Sequence, residues 1–383
     1  MRIALACPGV GLSQRGFERM FLDLYRLIEH DVDVTLFKGG GPESAREIVP
    51  AFLPRNGRFV NAVPVHRLLG RSPIHVECLT YALALLPHLR RGDFDLVHCI
   101  DPPLVRMLYK LRRWFGLRFR LLYTHGCTMQ PADYPPADHL QHVADGPYHE
   151  CLDAGFAPSS MTLLPCGFHP QRFEVEASQA ELRQRFGIAD DCFVILSVAA
   201  LNRGHKRVHH LIDEAAQLPG NILLWLDSSM DQGEPDLIAH AHTRLGERCR
   251  ITHVPSAQVG ELYKAADVLV HAAVFEAFGL AIVEAASTGL PVLVHDAPHF
   301  RWLLPERACW VDMAQPSALA ARLAQLREDP AQRAALRCPQ AVRQRFSWHD
   351  LRADYLALYE RSAALPIAAR AGVRINYFSQ LHG

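Results

Sequence analysis

The sequence predicts an α/β protein of two doubly wound parallel-sheet domains, and three observations lead to that fold class. Short apolar or β-branched runs alternate with segments of helical period along nearly all of the 383 residues. The rhythm occurs twice, and an aperiodic stretch at 167–180 separates the halves. The strand candidates are apolar throughout, which is typical of strands covered on both faces. We expect domains at 1–172 and 173–364, and a tail at 365–383 long enough to cross back to the first domain.

Each half contains a series of strand candidates. In the first half they lie at 3–7, 32–37, 60–65, 96–100, 119–123 and 162–164, with helices expected at 17–28 and 76–90 among the segments between them. In the second half they lie at 193–199, 222–227, 250–254, 268–272, 291–295 and 308–311, and a long final helix is expected at 349–364. Ligands bind beyond the carboxyl ends of the strands in such sheets, so two opposed domains would form one cleft with a ligand on each wall.

Composition excludes several classes of protein. Forty Lys and Arg residues balance 40 Asp and Glu, which argues against an electrostatically driven nucleic-acid binder. The longest apolar run, near 81–87, is far shorter than the roughly 20 residues of a membrane-spanning helix. The apolar start at 3–7 runs directly into Pro8, which favours a first strand over a secretion signal and a cytoplasmic location. The ten cysteines are never closer than 15 residues and the histidine pairs lack matching ligands, so we expect no metal site.

The loop after the first strand argues against three common ligand motifs. Gly9 and Gly11 are followed by Gln14, where a dinucleotide fingerprint needs Gly or Ala. The chain has no Gly-Lys-Ser or Gly-Lys-Thr of a Walker loop and no Gly-x-Ser-x-Gly elbow of a hydrolase. The loop leads instead to Gly16 at a helix start, where free backbone N–H groups suit a phosphate reached from the opposite domain.

Two carboxylates in the second half, Glu276 and Glu284, are separated by seven residues within an apolar stretch. With a helix beginning near Gly279, Glu276 lies in the preceding loop and Glu284 on the second turn, so both can point into one cleft. The amides of Phe278, Gly279 and Leu280 would be donors at a helix amino terminus. The arrangement suits a nucleotide sugar, with carboxylates on ribose and sugar hydroxyls and amides facing the diphosphate.

The segment 254–294, which contains VFEAFGLAIVEA, resembles the signature region of retaining GT-B glycosyltransferases of family 4, the glycosyl transferases group 1 pattern. The resemblance extends in matching order to RGFER, FDLVH, LLYTHG, LLPCGFHPQRF and ILSVAALNRGHKRVHHLI. It implies the GT-B fold, with two Rossmann-like domains that face each other across a cleft, an acceptor side in the first domain and a nucleotide-sugar donor site in the second.

The resemblance also implies which residues neutralise the leaving diphosphate. Lys206 matches the family's lysine. The partner arginine is Arg203 or, as the alternative, Arg207, because Ala200 and Leu201 stand where the family usually has it. A cation at a helix amino terminus opposes the helix dipole unless an anion is bound there, which favours a phosphate over a solvated basic surface.

The remaining roles follow from the same resemblance, residue by residue. Asp101, at a strand end before two prolines, is a weaker acceptor-side candidate or a turn residue. The other matches, in chain order, are Gly16 with the diphosphate, His125 with the reacting sugar, Val254 and Pro255 with the base through backbone groups, Glu276 with the transferred sugar, Phe278, Gly279 and Leu280 with the diphosphate and sugar through their amides, and Glu284 with the ribose.

The implied reaction is transfer of a sugar from a nucleotide sugar to a hydroxyl of a glycan, a lipid-linked acceptor or a small molecule, with retention at the anomeric carbon. A UDP-sugar is favoured, a GDP-sugar is the second candidate, and no metal or other cofactor is expected. Two alternatives stay open: a noncatalytic nucleotide-sugar-binding partner protein, and a nucleotide-sugar epimerase of the same architecture.

The segment 106–120 is the one candidate for contact with a membrane surface. It holds six basic residues together with Trp114, Phe115 and Phe119, and has no acidic residue. Such a segment is either a basic helix and loop on a solvated surface or a peripheral contact with anionic lipid.

Overall fold

The structure is a computed structural model that describes residues 1–13, 16–57, 59–60, 72–127, 129–228, 234–305 and 309–367. Its contacts divide the chain into two compact units, Met1–Cys166 with Leu351–Gly383 and Gly167–Asp350. Each unit is built on one parallel sheet whose strands are connected largely by helices. The predicted class, α/β with two doubly wound parallel sheets, is therefore confirmed.

The first unit contains a seven-stranded parallel sheet. Its strands are β1 (Arg2–Cys7), β2 (Asp33–Lys38), β3 (Glu47–Ile48), β4 (Leu96–Cys99), β5 (Arg120–His125), β6 (His139–His142) and β7 (Met161–Leu163). They lie in the order β3-β2-β1-β4-β5-β6-β7. The helices that lie wholly within the described residues before the second unit are α1 (Gly16–Ile28), α2 (Pro73–Arg91), α3 (Pro102–Phe115) and α4 (Asp145–Asp153).

Helical spacing of apolar residues explains how α2 and α3 cover this sheet. Tyr81 and Leu85 lie one turn apart on α2, and Leu104 and Leu108 do so on α3. All four side chains are fully buried in one cluster, which also contains Val97 of β4. The helices thereby leave the carboxyl ends of the strands and the loops that follow them available at one edge of the sheet.

The second unit contains a six-stranded parallel sheet. Its strands are β8 (Phe193–Val198), β9 (Ile222–Asp227), β10 (Cys249–Thr252), β11 (Val268–His271), β12 (Val292–His295) and β13 (Cys309–Val311), in the order β10-β9-β8-β11-β12-β13. Its helices are α5 (Gln179–Arg185), α6 (Val208–Ala215), α7 (Pro235–Leu245), α8 (Val259–Ala265), α9 (Leu280–Ser287), α10 (Pro298–Leu303), α11 (Ala318–Glu328), α12 (Pro330–Ala335) and α13 (Pro339–Phe346), and α14 (Trp348–Ala364) follows.

Two strands of the first sheet, β3 and β6, were not predicted from the sequence. The predicted strand at 60–65 lies outside the described residues except for Val60, which is helical. The strand β6 was not predicted because its sequence, HLQH, lacks an apolar run. It is nevertheless fully buried, and two of its polar side chains find partners on neighbouring strands: Gln141 accepts from the Thr124 hydroxyl at 2.7 Å, and His139 bonds the Thr162 hydroxyl at 2.8 Å.

Helix α14 is tied to the first sheet by buried hydrogen bonds. Tyr355 accepts from the Gln141 amide at 2.8 Å and donates to the Pro165 carbonyl at 2.9 Å. Tyr359 bonds Nδ1 of His98 at 3.0 Å. These contacts group the residues from Leu351 onward with the first unit, whereas the sequence placed residues up to 364 in the second domain.

Candidate functional site

The candidate donor site lies where two neighbouring strands of the second sheet end. β8 and β11 pair in parallel, so the segments that follow them leave the sheet at the same edge. The segment after β8 carries Lys206 and leads into α6, and the segment after β11 carries Glu276 and leads into α9. The structure brings together these two predicted residues, which are 70 positions apart in the chain.

Glu276 is a buried carboxylate, 7% exposed, with partners on both oxygens. Its Oε2 atom accepts from Nζ of Lys206, in a short ion pair, and from Nε2 of His271 at 2.9 Å. Its Oε1 atom accepts from the amide of Ala277 at 3.1 Å. Burial alone would raise the pKa of Glu276, but the hydrogen bond from His271 and the charge of Lys206 hold the pKa well below its usual range. The carboxylate is therefore ionised at neutral pH and fixed in one orientation.

His271 is the last residue of β11 and is also buried. Burial lowers its pKa, while the hydrogen bond to Glu276 opposes that shift. The ring is thus neutral at neutral pH. Because an ionised carboxylate can only accept, the Nε2 atom must carry the ring proton and donate it to Glu276.

The loop around Lys206 is held by its own backbone contacts. The amide of Lys206 donates to Oδ1 of Asn202 at 2.7 Å, and the amide of Val208 donates to the Asn202 carbonyl at 3.1 Å. Arg207 adopts a left-handed conformation with φ 50°, which is rare for a residue with a side chain, and its guanidinium donates to the Met313 carbonyl at 3.0 Å. This turn directs the Lys206 ammonium toward Glu276.

Both predicted phosphate-binding arginines have partners away from Glu276. Arg203 faces Glu234, with 3.9 Å between Nε and Oε2, and Arg207 bonds the Met313 carbonyl. His205, which lies between Arg203 and Arg207 in the sequence, is closer to the Glu276 carboxylate. Nε2 of His205 is 3.0 Å from the carbonyl oxygen of Phe275 and 3.9 Å from Oε1 of Glu276.

Gly279 sets the start of α9. Its φ of 98° and ψ of 53° are left-handed, and a Cβ atom built there would lie 2.8 Å from Cδ1 of Ile282 and 3.3 Å from Cγ of Glu276. Phe278 is buried and its carbonyl bonds Nε2 of His299 at 3.1 Å, so its side chain belongs to the core. The amides of Ile282 and Val283 donate to the Gly279 carbonyl, at 3.0 and 3.4 Å, so the amides of Leu280 and Ala281 are the ones that precede the first hydrogen bond of the helix. The helix amino terminus thus starts beside the Glu276 carboxylate.

Glu284 lies on the second turn of α9 and is half-buried. Its Oε2 atom accepts from the Tyr263 hydroxyl at 3.2 Å. This contact fixes the carboxylate from the side of α8, while Glu276 is fixed from the side of α6 and β11. The two glutamates therefore have separate supports.

Val254 and Pro255 lie beyond the end of β10, which stops at Thr252. The amide of Val254 donates to Oδ1 of Asp227 at 3.0 Å, and the Thr252 hydroxyl donates to the same oxygen at 2.8 Å. Burial raises the pKa of Asp227, against the effect of these two hydrogen bonds. The Val254 amide is therefore already used, and its carbonyl is the backbone group left for a base.

The first unit holds three predicted residues, of which Asp101 is the N-cap residue of α3. Gly16 is the exposed first residue of α1. His125 ends β5 and is buried beside Tyr134, whose hydroxyl is 3.2 Å from Nδ1 of His125. Burial lowers the pKa of His125 to about 4, so the ring is neutral at pH 7.

The sequence reasoning missed His271 and His205. A signal existed for His271, since a histidine that ends a buried apolar strand, five residues before a candidate carboxylate, must find a partner at the strand end. His205 directly precedes Lys206, in a segment where the family pattern predicts an arginine and not a histidine. In the described parts of the chain, no group of three or more His, Cys, Asp and Glu side chains is arranged to hold a metal ion.

Residues 178–344, which make up most of the second unit, match the sequence profile of the family described as glycosyl transferases group 1. These residues are fewer than half of the 383 in the chain, so the match shows that the second unit resembles this family. The chain is 31% identical over 168 residues to the lipopolysaccharide glucosyltransferase WaaG of Escherichia coli, a match that covers 42% of this chain and 44% of that protein. It is 24% identical to the MMP alpha-(1->4)-mannosyltransferase of Mycolicibacterium hassiacum, with 95% of this chain and 99% of that protein covered.

Among solved structures, the chain is similar to Anabaena HepE in complex with UDP and glucose. The TM-score is 0.73 at 17% identity, with 94% of this chain and 99% of that chain covered. A likeness at this identity establishes the fold alone. It confirms the predicted GT-B architecture of two Rossmann-like domains.

Proposed function

We propose that the chain transfers a sugar from a nucleoside-diphosphate donor to a hydroxyl of a glycan, a lipid-linked acceptor or a small molecule, with retention at the anomeric carbon and without a metal ion. One observation carries the proposal. A lysine and a glutamate from different loops meet at the amino terminus of α9, where they can serve a diphosphate and a sugar at once.

The charges at this site suit a nucleotide sugar. Lys206 pairs with Glu276, and its ammonium can turn to a diphosphate, which carries more charge than one carboxylate. Glu276, held by His271, then accepts from hydroxyls of the transferred sugar. Glu284, at the second turn, accepts from ribose hydroxyls. The amides at the start of α9 face the diphosphate, so the site neutralises the leaving group with protein groups alone.

The retained stereochemistry implies that the acceptor attacks on the face from which the diphosphate leaves. The departing phosphate oxygen then takes the proton of the acceptor hydroxyl as the new glycosidic bond forms. The protein's contribution is to stabilise charge on the diphosphate through Lys206, with Arg203 or His205 as the second donor. An anomeric-proton coupling measured on the product by NMR tests the stereochemistry.

UDP is the favoured nucleotide, and GDP is the second candidate. Support comes from the similar Anabaena HepE, which was solved with UDP and glucose. Thermal-shift and calorimetric titrations with UDP, GDP and ADP, each with EDTA and with added Mg²⁺, test both the base and the absence of a metal requirement. Binding that needs Mg²⁺ would contradict the metal-independent proposal.

Incubation with a panel of nucleotide sugars separates this function from its two rivals. A transferase releases nucleoside diphosphate slowly by hydrolysis and faster with an acceptor. An epimerase returns an isomerised donor, and a noncatalytic partner protein binds the donor without turnover. Loss of diphosphate release in the Lys206→Ala variant, with Lys264→Ala as the matched lysine control, assigns the activity to this site.

We also propose a peripheral contact with anionic lipid through the segment 106–120. Trp114 and Phe115 are 70% and 46% exposed at the end of α3. Arg112 is paired with buried Asp138, and Arg106 and Arg120 donate to backbone carbonyls, so the exposed charges nearest to these aromatics in sequence are Lys110, Arg113 and Arg118. Three such charges supply about 3 kcal/mol near an anionic surface.

Vesicle flotation tests this contact. The wild-type chain should float with vesicles containing anionic lipid at low salt, and the Trp114→Ser/Phe115→Ser variant should not. Equal flotation of both proteins, or none at low salt, would remove the proposal. Among the residues that the structure describes, no helix is long and apolar enough to cross a membrane.

A further inference from the structure

The first unit contains a cavity of about 190 Å³, and none of the predicted donor-site or acceptor-side residues is among its lining residues. It lies among the loop after β1, the first turn of α1, the segment 54–57 and α2. Sites for drug-sized ligands measure about 300 to 1,000 Å³, so this cavity has room for one small ring. The lining residues are Gly9, Leu12, Ser13, Glu18, Pro54, Arg55, Asn56, Gly57 and Glu77.

One wall of the cavity is a rigid ion pair. Glu77 is 2% exposed and accepts from the Arg55 amide at 2.6 Å and from Nε of Arg55 at 2.7 Å. The guanidinium also lies 3.8 Å from a carboxylate oxygen of Asp101. Leu53, two residues before Arg55, is also bonded to α2, because its amide donates to the Thr80 hydroxyl at 3.1 Å. Arg55 is the one cationic side chain among the described lining residues, and carboxylates already neutralise it.

The opposite wall carries a second carboxylate. Glu18 packs on the backbone of Gly9, where a Cβ atom would lie 2.5 Å from Oε1 of Glu18. Gly9 thus leaves the space that the carboxylate occupies. The neighbouring Ser13 hydroxyl is buried and has no hydrogen-bond partner among the described residues. The cavity presents acceptors and a hydroxyl to whatever enters it.

We propose that this cavity binds an uncharged, hydroxyl-rich ring and excludes rings that carry a phosphate or a carboxylate. Among the described residues that line the cavity or contact its ion pair, Glu18, Glu77 and Asp101 carry three negative charges and Arg55 carries one positive charge. An anionic ligand would meet a net negative field in a partly desolvated space, where Coulomb interactions exceed those in bulk water. Sugar hydroxyls, in contrast, can donate to the carboxylates and bond Ser13 and Asn56.

The cavity is a separate site from the donor cluster of the second unit, and it deepens the proposed function by naming the class of acceptor. Only the identification of the bound ring as the acceptor rests on the proposed function. Its charge selection is a property of the first unit that binding experiments can test without any turnover.

Ligand-observed NMR with the full chain tests the selection directly. The probes are glucose, mannose and galactose, the 6-phosphate of each, and the corresponding uronic acids. The wild-type chain should bind at least one neutral sugar, and about tenfold more tightly than its 6-phosphate, because repulsion by one carboxylate at contact distance is worth at least that factor. Tighter binding of a phosphate or uronate, or no binding of any neutral sugar, overturns the proposal.

Two variants locate the effect. Glu18→Gln removes one charge without changing shape and should reduce the preference for the neutral sugar at least threefold, while Glu29→Gln, a carboxylate just after α1 and outside the cavity lining, should leave it unchanged. Asn56→Trp, at an exposed lining position, should block binding of the neutral sugar. Unchanged selectivity in Glu18→Gln, or unchanged binding in Asn56→Trp, overturns the assignment to this cavity.

Titrations of the same proteins with UDP-glucose and GDP-mannose keep this inference distinct from the proposed function. If neither donor binds while the neutral sugar is selected as described, the proposed function fails and the cavity assignment stands. If a donor is bound and hydrolysed while 6-phosphates bind best, the proposed function stands and the cavity assignment fails.

Discussion

The Nε2 atom of His271 lies 2.9 Å from Oε2 of Glu276, and both side chains are buried. A neutral imidazole ring in this position stabilises the ionised carboxylate, because the ring donates a hydrogen bond and carries no charge of its own. The contact fixes Glu276, so in the proposed function the carboxylate keeps its orientation when Lys206 turns to a diphosphate.

Removing the donor should therefore raise the pKa of Glu276. In His271→Leu, burial is no longer offset by the ring hydrogen bond, so the carboxylate protonates at a higher pH and activity is lost earlier as the pH falls. A hydrogen bond to a charged group is worth about 1.5 to 3 kcal/mol, so we expect kcat to fall roughly tenfold or more near neutral pH. His271→Gln, which keeps an N–H donor, should restore part of the rate. A pH–rate profile of His271→Leu that superimposes on the wild-type profile would exclude this role.

Some elements of the fold and of the candidate site leave a local signal in the sequence, and others do not. The apolar strands and the glutamates at 276 and 284 follow from periodicity and spacing, because buried parallel strands and a helix start leave local signals. The strand β6 left no such signal, since its burial depends on hydrogen bonds of Gln141 with Thr124 and of His139 with Thr162, on neighbouring strands. The same limit applies to His205, whose position depends on a loop 70 residues away in sequence.

The Lys206→Ala variant tests the charge stabilisation at the diphosphate. The ammonium is the one lysine partner of Glu276, and it should stabilise charge that develops as the glycosidic bond breaks. Loss of such a contact costs about 3 kcal/mol in the transition state, so kcat/KM should fall by roughly two orders of magnitude. Lys264→Ala, on the exposed side of α8, should keep wild-type kinetics. Steady-state rates on both variants, with circular dichroism to confirm the fold, decide the outcome: Lys206→Ala activity above about a tenth of the wild-type value would remove this role.

The two glutamates should have different kinetic signatures because their supports and proposed partners differ. Glu284→Ala should mainly raise the donor KM and weaken binding of the free nucleoside diphosphate, since ribose contacts are nearly the same before and during reaction. Glu276→Gln should lower kcat and leave diphosphate affinity almost unchanged, since its contacts to sugar hydroxyls strengthen as positive charge builds at the anomeric carbon. Calorimetry with the diphosphate and initial rates on each variant are the measurements. Equal loss of diphosphate affinity in both would show that the assignment of these carboxylates is wrong.

The first unit should be labile to acid because four of its histidines are buried. Burial lowers the pKa of His98 and His142 to about 3 and of His125 and His139 to about 4. In the unfolded chain each would titrate near pH 6.5, so the unfolded state binds more protons at any pH between about 4 and 6.5. Stability is therefore complete above pH 6.5 and falls as the pH drops, by up to about 1.4 kcal/mol per pH unit for each histidine. At pH 5 the combined loss approaches the whole stability of a typical domain, about 5 to 15 kcal/mol.

His142→Leu isolates one of these groups. Neither ring nitrogen of His142 has a hydrogen-bond partner among the described residues, so leucine removes the titrating group without breaking a hydrogen bond seen in the structure. The variant should match or exceed the wild type at pH 7.5, and its free energy of unfolding should fall less steeply between pH 6.5 and 4, by about 1.4 kcal/mol per pH unit. Urea denaturation at a series of pH values, with hydrogen exchange to report the first unit separately, measures both slopes. Equal slopes in the two proteins would mean that His142 is protonated in the folded state or is not buried as described.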